Sequence, residues 1–422
     1  MAAETAPPAA DIVLDKAAFD EVIVVPALRV PKKKCHEFMK RLSGHLLNRP
    51  RVRNVEDDDA DHPDTKRLLL SPDLSLHDLP EEVTTLVKEE GLDALESSIH
   101  VGYDYWPAAA VLKRLLPAGI EVPSAFETVG HIAHLNLRDE ALPYKKLIGE
   151  VILDKNPRLR TVINKLGNIE NEFRVFKMEV LAGEDSTAAV VQQMGHRFHL
   201  DFRKVYWNSR LEREHSRLVG TFDPGHTVLD AMAGVGPFAV PAAAGGCRVL
   251  ANDLNPDSYA FLCTNIQRNK VADKVAAFNL DGGEFIRLAA RNALESEAQA
   301  ALVSVPFHHV IMNLPATAIE LCTAFRHAFP AALWAPESLP RVHVYGFVKG
   351  DEAQHEQELK SRLESALGAA LDQPAAYHRV REVAPNKTMY CVSFVPPVEI
   401  AFEDERGPDA KRLKLEEVDY DC

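Results

Sequence analysis

Residues 226–238, His-Thr-Val-Leu-Asp-Ala-Met-Ala-Gly-Val-Gly-Pro-Phe, decide the fold. An apolar run reaches Asp230, turns through two glycines and meets Pro237, a residue suited to the first turn of a helix. Strand, glycine turn and helix in that order make a nucleotide pocket. Gly234 and Gly236 admit positive φ and let a ligand approach the backbone closely. Such turns also occur where nothing binds, so the neighbouring strands carry the argument further. Residues 248–255 read as a second strand ending in Asp253, close to the roughly 20-residue spacing at which an acid grips a ribose hydroxyl. A third strand, residues 275–280, runs into Asp281-Gly282, and a fourth, residues 309–312, into Asn313-Leu314-Pro315.

In an open parallel sheet the ligand lies beyond the carboxyl ends of the strands, so Asp230, Asp253, Asp281 and Asn313 are expected at one crevice. Taken singly, each could be only a helix cap or a turn residue. A dinucleotide turn would carry a third glycine and a cradle for pyrophosphate. Here Ala239 stands at that third position and carboxylates dominate, which suits a cationic ligand without phosphate. S-adenosylmethionine, with ribose, adenine and sulfonium, has that chemistry.

With 422 residues, 46% of them hydrophobic and 26% charged, the chain has the make-up of a soluble globular protein of two or three domains. No apolar run of about 18 residues predicts a membrane helix. The first ten residues lack the basic start and apolar core of a secretory signal, and no Arg-rich amphipathic start marks a transit peptide. The six cysteines (Cys35, Cys247, Cys263, Cys322, Cys391, Cys422) show no C-x-x-C, so neither zinc nor a disulfide framework is expected, and a reducing compartment is. His131 and His134 fall in an apparent strand, where i, i+3 residues do not share a face, and read as structural. The net charge of −14 argues against polyanion binding by the whole surface. Much of that acidity lies in residues 56–61 and 403–421; basic clusters remain at residues 32–34, 145–146 and 203–217. The last is interleaved with Tyr206 and Trp207 and is the best candidate for phosphate contact and base stacking.

Pattern along the chain predicts strands over residues 21–30, 67–70, 128–137, 161–165, 173–182, 190–202, 342–348, 376–383 and 389–394. Helices are expected over residues 32–47, 144–153, 211–219 and 352–367. The division that follows is a disordered start (1–18), an N-terminal α/β domain (19–122), a smaller β-rich α+β domain (123–205), a Rossmann-like α/β domain (206–399) and a disordered charged tail (400–422). Residues 408–415, Pro-Asp-Ala-Lys-Arg-Leu-Lys-Leu, resemble a nuclear-import signal.

Several segments together resemble a known family: Val-Gly-His-Ile-Ala-His-Leu-Asn-Leu-Arg (129–138), Asn-Lys-Leu-Gly-Asn-Ile (164–169), Glu-Phe-Arg-Val-Phe-Lys-Met-Glu-Val-Leu-Ala-Gly-Glu (172–184), Lys-Val-Tyr-Trp-Asn-Ser-Arg-Leu-Glu-Arg-Glu-His (204–215), Asp-Ala-Met-Ala-Gly-Val-Gly-Pro-Phe (230–238), Asn-Leu-Pro-Ala-Thr-Ala (313–318) and Val-Ala-Pro-Asn-Lys (383–387). They look like the archaeal and eukaryotic type of tRNA (guanine-37-N1)-methyltransferase. The likeness spans about residues 125–397. It implies a class I S-adenosylmethionine-dependent methyltransferase fold, an N-terminal domain that docks the tRNA outer corner, and a product that safeguards the reading frame and opens wybutosine synthesis. The first 120 residues carry no matching motif, so their docking role is inherited by position.

The resemblance also implies site residues. Glu214 would take the N1 proton and Arg174 would stabilise charge developing at O6, with Asn313 and Pro315 in the catalytic loop. Without the family match, Glu214 could instead be a surface partner for Arg210 one turn earlier. Asp253, Leu254 and Asn255 would hold ribose and adenine, Asp281 and Gly282 the adenine edge, and His215 and Asp230 the methionine end, with Gly234, Gly236, Phe238 and Asn313 lining the pocket. At His215 the family has a basic residue, so charge there departs from the pattern. Arg174, Tyr206, Arg210 and Lys387 are expected tRNA contacts, and the target base would leave the anticodon-loop stack. No metal and a monomer are expected, in nucleus and cytoplasm, with the mitochondrial matrix as a further place. Two rivals stand beside this reading: the related wybutosine aminocarboxypropyltransferase, against which Glu214 and Asn-Leu-Pro-Ala-Thr-Ala speak, and a non-catalytic tRNA-binding module.

Overall fold

The computed structural model describes residues 13–123, 125–167, 175–294 and 306–402. They fall into two compact units, one built from residues up to 127 with 132–165 and 179–185, the other from residues 128–131, 166–178 and those from 186 onward. In the first, strand Glu21–Pro31 pairs antiparallel with Thr65–Leu69 on one side and Asp93–Val101 on the other, and Val55–Asp57 adds a short outer strand. Leu28, Val30, Phe38, Leu68, Val83 and Leu86 form the core beneath helices Cys35–Arg41 and Glu81–Glu90.

Three departures from the sequence reading have physical causes. The helix expected over residues 32–47 is α-helical only at Cys35–Arg41, because the three lysines form a 3-10 turn and Gly44, a poor helix former, lies in the turn that follows. The single strand expected over residues 190–202 is a hairpin, Ala188–Gln193 and His196–Asp201, turned by Met194 and Gly195, both at positive φ. Helix Ala108–Leu115, placed at the end of a separate domain, buries Val111 and Leu112 with Leu135, Ile148, Ile152 and Val162. Compactness therefore does not break at residue 123, because that helix's apolar face has its partner in the next segment.

The second unit holds the Rossmann-like sheet. Its strands are β1 (Thr227–Asp230), β2 (Arg248–Asn252), β3 (Val275–Phe278), β4 (His309–Met312), β5 (Arg341–Lys349), β6 (Ala376–Ala384) and β7 (Lys387–Phe394), in the order β3-β2-β1-β4-β5-β7-β6. The first five run parallel and β7 lies antiparallel to β5. Strands β1 to β4 are buried almost throughout, as their unbroken apolar runs require of a sheet covered on both faces. Helices α1 (Glu212–Val219), α2 (Ala239–Ala244), α3 (Pro256–Arg268), α4 (Gly282–Ala290) and α5 (Glu352–Leu367) accompany the sheet. Strand order reverses between β1 and β4, which puts the ligand crevice at their carboxyl ends.

Candidate active site

The glycine turn after β1 is built as its sequence demands. Gly234 sits at φ 56° and Gly236 at φ 98°, and a Cβ on Gly236 would lie 3.0 Å from Leu262 Cδ1. Asp253 clamps this turn to the end of β2: its Oδ2 accepts from the Gly234 amide at 2.8 Å and its Oδ1 from the Asn255 amide at 3.0 Å. Leu254 beside it is exposed, leaving an apolar surface fit for an adenine face. Asn255 is occupied in holding the chain: Oδ1 caps α3 at the Asp257 amide and Nδ2 donates to the Lys204 carbonyl. Asp281 caps α4, accepting from the Gly283 and Glu284 amides through Oδ1. The capping alternative thus holds for Asp281, and Asn255 is a cap as well, which does not remove either from the crevice rim. Gly282 lies against Met232 and the Ala231 carbonyl, where a side chain would collide.

Asp230 ends β1 fully buried, and neither carboxylate oxygen has a hydrogen-bond partner among the described residues. Burial, with Asp253 nearby, pushes its carboxyl up to about 8; the Met232 amide eases the charge without reaching hydrogen-bond geometry. Burial likewise raises Asp253. Two desolvated acids at the foot of one crevice suit a cation. An ammonium or sulfonium meets that need, so the residues present fit S-adenosylmethionine.

Two side chains that sequence reasoning missed brace the crevice. Buried Asn252 donates to the Ala231 and Leu280 carbonyls and accepts from the Leu280 amide, tying the ends of β1 and β3 together through β2. Asn279 donates to the carbonyls of Asp253 and Leu254. Asn252 directly precedes Asp253 and Asn279 stands two residues before Asp281, which is the only signal that could have found them.

Glu214 lies buried on α1, and its partner is Arg217, not Arg210. Arg217 forks across the carboxylate, Nη2 to Oε1 at 2.6 Å and Nε to Oε2 at 2.7 Å, while Tyr345 Oη donates to Oε1 at 2.7 Å. The pairing raises the Arg217 guanidinium further above its ordinary range. His215 is also buried; Gln193 donates to its Nδ1 and Phe238 packs edge-on at 4.5 Å. Burial pushes His215 down to about 3, so the residue that the resemblance puts at the methionine end, where the family has a basic residue, is a neutral imidazole. Phe238 is core, between His215 and Tyr345. Asn313 follows β4, and its side chain has no hydrogen-bond partner among the described residues; the Pro315 carbonyl accepts from the Phe347 amide at 3.1 Å.

Tyr206 is 42% exposed, as a stacking residue must be, and Arg210 is exposed. Trp207 is not available for stacking on RNA: it is buried against Phe198, with Nε1 donating to Ser209 Oγ. Lys387 starts β7 with its ammonium 4.3 Å from the Phe347 ring centre. Arg174 and the tail at 408–415 lie outside the described residues. A cleft of about 500 Å³ opens beside the Asp253 loop, lined by Phe176, Lys177, Arg203, Lys204 and Asp257 among others.

Known proteins resemble the chain along most of its length. A tRNA (guanine(37)-N(1))-methyltransferase of Phytophthora infestans is 45% identical over 417 residues, 95% of this chain and 97% of the relative. The human protein of that name is 39% identical over 94% of this chain and 78% of its own. The chain belongs to the tRNA (guanine(37)-N(1))-methyltransferase family. Its residues 189–329 match the TRM5/TYW2 methyltransferase domain, and residues 109–187 match a domain described as the TYW2 N-terminal domain. The Trm5b structure from Pyrococcus abyssi shares the fold, with a TM-score of 0.61 at 24% identity over 88% of this chain and 99% of that one. A Trm5 solved with tRNA-Leu gives 0.63 at 22%, over 87% and 99%.

Proposed function

We infer that this chain transfers the methyl group of S-adenosylmethionine to N1 of guanosine 37 in tRNA. One observation carries the reading: 45% identity with a relative of that name continues over 95% of this chain and 97% of the other. The crevice supports it. Asp230 suits the cofactor's cationic end, and the glycine turn with Asp253 and Leu254 suits its nucleoside. Bound there, the cofactor supplies an electrophilic methyl group on a positively charged sulfur.

Guanine N1 attacks only once its proton leaves. Glu214 is the proposed acceptor: the N1–H proton would pass to its carboxylate, which would free the N1 electron pair for the methyl group that the bound cofactor supplies as its sulfur leaves. Register supports the reading: Met312 pairs with Val344, so Tyr345, which donates to Glu214, stands level with Asn313. Arg174 is proposed for O6, and Asn313, with both a donor and an acceptor, for orienting the base edge or the cofactor. Tyr206, Arg210 and Lys387 are proposed tRNA contacts. The reading includes a role in wybutosine synthesis and a place in nucleus and cytoplasm, with the mitochondrial matrix as a further site.

The test is transfer of labelled methyl to an unmodified transcript with guanosine at position 37, beside the same tRNA with adenosine there and beside a Glu214→Gln enzyme. N1-methylguanosine on the first tRNA alone, largely lost in the variant, is expected. An aminocarboxypropyl product on a premethylated tRNA, with no methyl transfer, would replace this reading with the wybutosine transferase.

A further inference from the structure

The carboxylate assigned as base stands under a row of side chains that crosses three strands. Tyr345 on β5 pairs directly with Cys391 on β7, and Cys391 with His378 on β6. Directly opposed residues of antiparallel strands project to the same face, so the three line one side of the sheet, and α1 lays Glu214 and Arg217 against it. Tyr345 and Cys391 are buried; the His378 side chain is 46% exposed and its Nε2 lies 3.2 Å from Glu214 Oε2.

The two carboxylate oxygens are therefore unequal. Oε1 is held by Tyr345 and by one arm of Arg217, both at hydrogen-bond distance. Tyr345 is sealed in the core, and burial raises its phenol well above the ordinary value, so it stays a donor. Oε2 is held by the other Arg217 arm, and its remaining side meets only the imidazole of His378 among the described residues. That imidazole sits on the outermost strand, next to a register shift between Arg379 and Arg381, where displacement disturbs little.

We propose that Arg217 and Tyr345 are positioning residues that hold the Glu214 carboxylate in place and present Oε2 as the proton-accepting oxygen, and that His378 occupies the place the guanine N1–H takes. The proposal rests on Glu214 being the base. Binding of the target nucleotide would bring the guanine N1–H to where His378 Nε2 now stands, 3.2 Å from Oε2, while both Arg217 arms and Tyr345 stay on the carboxylate, so that it is never left bare. Arg217 is one-third exposed but bidentate, so its departure would break two charge-assisted bonds at once; His378 is the cheaper partner to displace.

The experiment measures kcat and KM for tRNA, with cofactor affinity, in the full chain. The charged or titratable groups facing Glu214 are Arg217 on its own helix and Tyr345, Cys391 and His378 on the strands. With Arg217→Met the carboxylate loses the fork that orients Oε2. The expected result is a fall in kcat of at least tenfold with KM for tRNA and cofactor binding unchanged, most of it restored by Arg217→Lys. No loss, or a loss carried by KM or by cofactor binding instead of kcat, overturns the assignment of Arg217. With His378→Ala no imidazole has to be displaced, and kcat/KM for tRNA rises two- to fivefold through KM; a tenfold fall in kcat overturns the place-holding role. Glu214→Gln separates the levels: if it remains fully active, the base assignment fails and this inference with it. If Glu214→Gln is inactive but Arg217→Met keeps its kcat, only this inference fails.

Discussion

A carboxylate sealed at the end of a core strand, with no hydrogen-bond partner among the described residues, is costly for a protein to keep, and Asp230 is such a residue. Its raised pKa means the folded state holds a proton that the unfolded state has lost between the ordinary value of 3.8 and about 8. Stability on its account is full below pH 3.8 and lost as pH rises through 8. Asp230→Asn is therefore expected to leave the melting temperature equal or higher at pH 8 while weakening S-adenosylmethionine binding at least tenfold by calorimetry. A variant that melts lower and binds normally would assign Asp230 to the fold instead. The glycines separate in the same way. Alanine at Gly234 meets open space and should cost only the positive-φ penalty, about 1–2 kcal/mol. At Gly236 the contact with Leu262 adds to it, so chemical denaturation should rank Gly236→Ala as the less stable.

At the scale of elements, what holds the strand ends matters more than what lies in them. Asn252 ties β1 to β3 with three hydrogen bonds inside the core, and Asn252→Ala should cost about 2–3 kcal/mol by leaving buried backbone groups unpaired. Cofactor affinity should fall with it, because the Asp253 loop hangs from the same strand. At the opposite ends of the strands, imidazoles form a chain: His226 before β1 meets His309 on β4 at 3.1 Å, His309 meets His343 on β5 at 3.2 Å, and His343 meets Ser393 Oγ at 2.8 Å. Burial pushes His309 down to about 4 and His343 to about 3, from an ordinary 6.5. Both are neutral in the fold, so their contribution is whole above pH 6.5 and is lost as pH falls toward 4 and 3. Thermal scans in that window should show the melting temperature dropping, with a shallower slope in His343→Gln; an unaltered slope would mean other groups carry the acid sensitivity.

For the molecule as a whole, a net charge of −14 has to be reconciled with a polyanionic substrate. Binding must then rest on local basic groups such as Arg203, Lys204 and Arg210, with phosphates releasing counterions as they are met. The KM for tRNA should climb at least tenfold between roughly 50 and 200 mM salt, while the KM for the cofactor, which carries no phosphate, stays within about twofold. Equal sensitivity of both would point to salt acting on the fold.

The sequence by itself determined the Rossmann-like sheet, its glycine turn and the polar residue that closes each strand, because those signals are local: a strand, a turn and a helix start lie within a dozen residues of one another. It also marked Glu214, Asp253 and Asn313 through motif. Tertiary structure alone decided the rest. That Glu214 pairs with Arg217 and Tyr345 instead of Arg210, that Trp207 faces the core, that Ala108–Leu115 shares a core with the segment after it, and that Asp230 finds no donor among the described residues all depend on which groups meet across long stretches of chain. Tyr345 lies 131 residues from Glu214, and no local pattern links them. Burial sets the charge of an acid or a histidine, and burial is a property of the packed molecule that no short segment carries.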